Sequence, residues 1–256
     1  MSDEEIRIAP PSDPLERSQR LSRPELPKRF YKGVAVGSGE NGHAITLDGR
    51  TVRTPGGRVL AAPDATVAEA IAAEWAAQAE RIDRATMPLT RLLNSTIDGV
   101  EPAREAVARD IAAYAQTDLL CYRADGPGGL VDNQRAAWDP ILAWAETTLG
   151  ARFVLAEGVM PVAQSASTLS AVDARLPRDP ALLLAAMHSM TSLTGSVLIA
   201  LAVLEGQLDA EEAWAAAHVD EDWNISLWGE DAEAKRRRDQ REIDMQAAAF
   251  VVRALA

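Results

Sequence analysis

Cysteine is almost absent from this chain: Cys121 stands alone among 256 residues. One thiol allows no internal disulfide, so a disulfide-stapled secreted scaffold is excluded; its bland role is a small core residue. Clustered positive charge is also scarce, with 26 Lys and Arg against 38 Asp and Glu and a formal charge of -12. That balance argues against general nucleic-acid binding, which needs cations arrayed against phosphates. Only Lys235-Arg236-Arg237-Arg238 forms a dense basic run. Its acidic neighbours at helical spacing (Asp231 to Lys235, Glu233 to Arg237, Arg238 to Glu242) predict a salt-bridged exposed helix rather than a phosphate patch.

The common chemical signatures are missing as well. There is no H-E-x-x-H, C-x-x-C, G-x-S-x-G or phosphate loop ending in Gly-Lys-Ser/Thr,. Gly37-Ser38-Gly39-Glu40-Asn41-Gly42 satisfies the dinucleotide pattern, but the alternating run HAITL follows it where that motif needs a helix,. It is therefore expected to be a turn. The three histidines, His43, His188 and His218, are far apart. His188 is expected as a satisfied core or interface residue, and His218 as a surface partner of Asp222 at i+4. No apolar segment resembles a secretory signal, and the acidic start differs from an Arg-rich transit peptide. A cytoplasmic location is the expectation. The run ALLLAAMHSMTSLTGSVLIALAVL at 181–204 has no Asp, Glu, Lys or Arg, but its Ser, Thr and His side chains favour the central rod of a helical domain over a membrane span.

What is present divides by period. Residues 1–28, proline-rich and of mixed charge, read as a flexible arm. From 29 to 98 a small α/β domain is expected, with Asp48-Gly49 as a hairpin turn and Asp64 as the N-cap of a helix carrying Val67, Ile71, Trp75 and Ala79. From 99 to 256 the pattern is helical, with helices near 103–118, 132–149, 165–174, 179–205, 209–228 and 230–253. The fold class is α+β: a small N-terminal antiparallel sheet with helix, then a larger C-terminal all-helical orthogonal bundle.

The stretch VDEDWNISLWGED, residues 219–231, holds five acids and two tryptophans. A calcium loop would place Asp220, Asp222 and Asn224 as ligands, but Ile225 stands where the loop needs glycine. A helix fits better. Val219, Trp223 and Leu227 then form a buried seam, while Asp220, Asn224 and Trp228 share the adjoining line. Gly229 ends the helix, and Glu230-Asp231 open the next. Acids beside a tryptophan form either a solvated edge or the rim and anchor of a binding surface. Paired carboxylates, Asp220 with Glu230, leave a hydrolase open as the alternative.

Six stretches in order, RFYKGVAV from 29, EWAAQ at 74–78, MPLTRLLNSTID at 87–98, TDLLCYRA at 117–124, QRAAWDPILAWAE at 134–146 and the acidic block, resemble the assembly-chaperone family for F1-ATPase, whose members bind the alpha subunit. The resemblance spans roughly residues 29 to 245. It implies a two-domain fold, no bond chemistry, no cofactor or metal, and the ATP synthase alpha subunit as partner, with neither nucleic acid nor a membrane span. In that family the chaperone holds an unassembled alpha subunit until beta subunits replace it. The family's acidic position falls on Asp220, shorter here than the usual Glu. Glu221, Asn224, Trp228 and Glu230 complete the expected partner-binding set, and Trp75 is expected to be structural. A bacterial member would be cytoplasmic, and a eukaryotic one would lie in the mitochondrial matrix.

Overall fold

A computed structural model describes residues 26–39, 42–158 and 162–256. The expected arm therefore falls almost wholly outside the described residues, but its last part is tied down. The Ile82 amide donates to the Pro27 carbonyl, and Lys28 bridges to Arg81.

The small sheet follows the hydrophobic alternation. Strands β1 (Val34–Gly39) and β2 (Gly42–Leu47) pair antiparallel from Val34↔Leu47 to Gly39↔Gly42, so a strand follows the glycine-rich pattern where a cofactor loop needs a helix, while the expected turn at Glu40 and Asn41 lies outside the described residues. β2 also pairs with β3 (Arg50–Thr51) and β4 (Ala61–Ala62). Between β2 and β3, Asp48 and Gly49 adopt φ 49° and 80°, the left-handed pair a two-residue hairpin needs. The Asp48 carboxylate also accepts the Gly33 and Lys32 amides, which hold its acid group below the usual carboxylate range.

Helix α1 (Ala65–Ala76) lies on this sheet. Asp64 caps it, accepting from Thr66 N at 2.8 Å and Val67 N at 3.2 Å. Val67 and Ile71 are buried, but the helix ends at Ala76, which leaves Ala79 outside it and exposed. Trp75 packs edge-on to Tyr31, whose hydroxyl donates to the Trp75 carbonyl at 2.7 Å. Glu74 reaches across to α2 (Pro88–Ser95) and accepts from Leu89 N, Thr90 N and the Thr90 hydroxyl. The Glu-Trp pair is thus a join between sheet and helices, with Glu74 serving as a remote cap.

The rest is mostly helix: α3 (Arg104–Ala113), α4 (Gly128–Trp144), α5 (Ala166–Asp173), α6 (Ala181–Thr194), α7 (Val197–Leu204), α8 (Ala210–Ala217), α9 (Val219–Trp228) and α10 (Ala232–Leu255). A short parallel ladder, β5 (Tyr122–Arg123) with β6 (Ala156–Glu157), interrupts it, a feature the periodicity did not show. One buried cluster runs from Ile45, Leu60 and Ile71 through Leu93 and Ile111 to Leu184, Leu198 and Val252. It therefore crosses the boundary expected near residue 98.

Two long helices expected from the sequence are broken. The apolar run 181–204 is not one rod: Gly195, at φ 70°, ends α6, and Ser196 starts α7 by accepting from Ile199 N at 3.0 Å. Buried Asp118 completes the joint, its two oxygens accepting from Leu120 N and Leu198 N. Burial pushes its carboxyl up to about 6,. Similarly, 209–228 divides at His218 into α8 and α9. No helix among the described residues is long and apolar enough to cross a membrane.

Candidate partner-binding face

Helix α9 carries the acidic block on a short helix braced from two sides. Toward α4, Trp223 lies over Gly129 so closely that an added Cβ there would stand 2.7 Å from the indole. Glycine is what permits that approach. Toward α10, Asp222 receives the Arg238 guanidinium at 2.5 Å. At its C-terminus Gly229 turns the chain with φ 82°, and Asp231 caps α10, accepting from Glu233 N and Ala234 N. The second of these amides is the main reason the Asp231 carboxyl lies below its ordinary value.

At the start of α9, His218 departs from expectation. It is 5 % exposed, with its ring tilted at 43° against Trp214, 3.8 Å between ring centres, and Nδ1 2.7 Å from the Trp214 carbonyl. Asp222 is not its partner; Glu221 stands nearest, at 3.8 Å. Burial lowers the pKa of the imidazole, keeping it neutral,. His188 is satisfied, as expected, but outside the core: it is half-exposed on α6 and bridges to Asp110 of α3 at 2.9 Å.

The expected buried seam is only partial. Val219 and Trp223 are half-buried, but Leu227 is 53 % exposed, so the seam stops short of the last turn of α9. Trp228 is 84 % exposed. Between α9 and α10 lies an open cleft of about 440 Å³, whose lining includes Glu221, Asn224, Trp228 and Glu230 with Lys235 and Arg238. Four of the five residues singled out in the sequence thus meet around one cleft. Asp220 does not line it.

Asp220 instead leans toward α4, where Gln134 Nε2 donates to its Oδ1 at 2.7 Å. Gln134 is the residue that sequence reasoning missed; its only signal was membership of the QRAAWDP motif. The neighbouring motifs converge here too. Ala124 N donates to Gln134 Oε1 at 2.9 Å, Arg123 pairs with Asp139 at 2.6 Å, and Trp138 Nε1 donates to the Ala216 carbonyl at 2.7 Å. Two neighbouring stretches, around 123–124 and 134–139, together with Ala216 therefore build one support for α9.

Three cations of the basic run, Lys235, Arg237 and Arg238, pair with acids, one of them in the expected pair. Glu233 and Arg237 meet at 3.0 Å, but Lys235 bonds Asp239 at 3.0 Å because Asp231 is occupied as a cap. Arg238 turns to Asp222 rather than to Glu242. No group of three or more His, Cys, Asp or Glu among the described residues is arranged to hold a metal ion. The face offers charge, hydrogen-bond acceptors and aromatic area.

The profile of the ATP12 chaperone protein matches residues 28–146. Atp12 from Paracoccus denitrificans, a solved structure, is 39% identical and superposes with a TM-score of 0.83 over 90% of this chain and 99% of that one. The chain belongs to the ATP12 chaperone family. Its likeness to the Atu1473 protein of Agrobacterium tumefaciens, described as a chaperone candidate, is higher still: 47% identity and a TM-score of 0.87, covering 96% and 93% of the two chains. The mitochondrial atp12 protein of Schizosaccharomyces pombe is 25% identical over 224 residues, 83% of this chain and 77% of its own. The ATP12 fold, a small antiparallel sheet followed by a mostly helical region, is the one expected from the sequence. The profile's 28–146 includes Gln134 and stops well short of α9.

Proposed function

We propose that this chain is an assembly chaperone for the F1 sector of ATP synthase, holding the unassembled alpha subunit and covering its interface until beta subunits replace it. It acts without bond chemistry and without a cofactor, in the cytoplasm of a bacterium. The observation that carries the site is Trp228, 84 % exposed on a braced helix and flanked by Glu221 and Glu230. A large exposed indole costs free energy in water unless something covers it, and aromatic anchors ringed by polar groups are where interfaces concentrate their energy. Free subunit interfaces of ring assemblies are large and apolar, which gives such an anchor its counterpart.

Asp220 belongs to this face through its exposure and its place at the head of α9, beside the cleft that Glu221, Asn224, Trp228 and Glu230 line. The net charge of -12 favours encounter with a basic patch on the client,. The test is to recover the tagged protein from its native cells and identify what accompanies it. The alpha subunit without beta is the expected result. Retrieval of neither subunit from cells actively assembling the enzyme would refute the proposal. Reversing the charge at Asp220 with Asp220→Lys should weaken capture, but it also strands the Gln134 amide. Asp220→Asn removes the charge while keeping an acceptor, and is the cleaner variant.

A further inference from the structure

Gln134 is 2 % exposed, and burying a primary amide is costly unless both ends are matched,. Its oxygen is matched inside the fold by Ala124 N. Its nitrogen, however, turns outward to an exposed carboxylate, Oδ1 of Asp220. Helix α9 opens with three successive acids, and each has a different fate. Asp222 is neutralised by Arg238, and Glu221 lies near His218. Asp220 is exposed, carries no ion pair among the described residues, and is bound by a buried donor through one oxygen only. An exposed aspartate on a helix's first turn ordinarily swings among rotamers. Here a rigid amide, itself fixed by Ala124 beside β5, holds it.

We infer that Gln134 is a positioning residue for Asp220: it fixes Oδ1 so that Oδ2 is presented at a set place to a cationic side chain, arginine or lysine, of the bound client. This rests on the chaperone reading above and adds to it the residue that orients the acid and the chemistry that meets it. A preset acceptor loses less freedom on binding than a mobile one, so the gain appears in affinity and not in the stability of the free protein. A charged hydrogen bond lost or misaimed weakens binding by roughly tenfold or more.

The experiment titrates purified ATP synthase alpha subunit against four proteins: wild type, Gln134→Met, Asp220→Ala and the double variant. Thermal unfolding of each is recorded in parallel. Gln134→Met is expected to bind roughly tenfold more weakly, while adding it to Asp220→Ala changes binding by no more than about twofold, since a residue that acts through another has nothing left to act on. A fifth protein, Asp220→Asn, should keep the wild-type melting temperature and lose affinity. Equal binding by a folded Gln134→Met, or a loss of the same size in both backgrounds, would overturn the inference. Gln134→Glu, which keeps the acceptor for Ala124, stands in if the methionine variant does not fold. If neither folds, the amide is purely structural and the inference is wrong. Wild type that binds no alpha subunit would instead defeat the chaperone reading before any variant is compared.

Discussion

At the scale of single residues, position and burial separate side chains that composition makes alike. Trp138 and Trp228 are both tryptophans, but one is a core beam bonded to the Ala216 carbonyl and the other stands in solvent. Trp228→Ala should therefore leave the melting temperature nearly unchanged, within about 0.5 kcal/mol of stability. It should weaken alpha-subunit binding by about 2 kcal/mol or more, as measured by titration calorimetry. The contrast holds for acids as well. Asp118 is fully buried and accepts from Leu120 N and Leu198 N, so Asp118→Ala leaves buried amides unpaired. A loss of about 2 to 4 kcal/mol in denaturant unfolding is expected, independent of any client. The sequence put Asp220 and Trp228 on one line of one helix; both do lie on α9, but Asp220 turns to Gln134 and only Trp228 lines the cleft. The sequence could not mark Gln134, whose partner lies 86 positions away and leaves no periodic trace.

At the scale of elements, local signals were legible and long-range ones were not. Asp64 and Asp231 act through bonds to residues within three positions, and Asp48-Gly49 through the backbone angles of its own two residues, so these roles could be read directly. The joints at Gly195-Ser196 and His218 were hidden for different reasons. At the first, a run without a single Asp, Glu, Lys or Arg masks a cap whose second half, Asp118, comes from a distant segment. At the second, the alanine-rich AWAAA before His218 and the helical step of Val219, Trp223 and Leu227 after it read as one helix, and the break shows only in the backbone of His218, at φ -118°. The placement of α9 depends on a close approach that can be disturbed. In Gly129→Ala the new methyl would meet Trp223 at 2.7 Å, so either helix must shift. We expect about 1 to 3 kcal/mol of destabilisation and weaker client binding. The loss should shrink in a Trp223→Phe background, where the offending ring atoms are gone, a comparison that thermal melts of the four proteins would settle.

For the whole molecule, two buried ionisable groups set opposite pH responses. The unfolded chain protonates His218 near its ordinary value of about 6.5, whereas burial keeps the folded imidazole neutral to lower pH,. The unfolded state thus takes the proton first, and stability present above neutrality is lost as pH falls through that range. Asp118, pushed up to about 6, binds its proton first in the folded state and works the other way below pH 6. Between pH 7.5 and 6 the histidine dominates. The melting temperature should fall across that window in wild type and stay flatter in His218→Gln. The exposed indole has a further, photophysical consequence. Of the six tryptophans, the other five are buried or half-buried, so a neutral collisional quencher such as acrylamide reaches Trp228 first. The fluorescence accessible to quencher is then a direct reading of the open face. When a client covers α9, that fraction should vanish and the emission should move to the blue, letting the unlabelled protein signal when it is occupied.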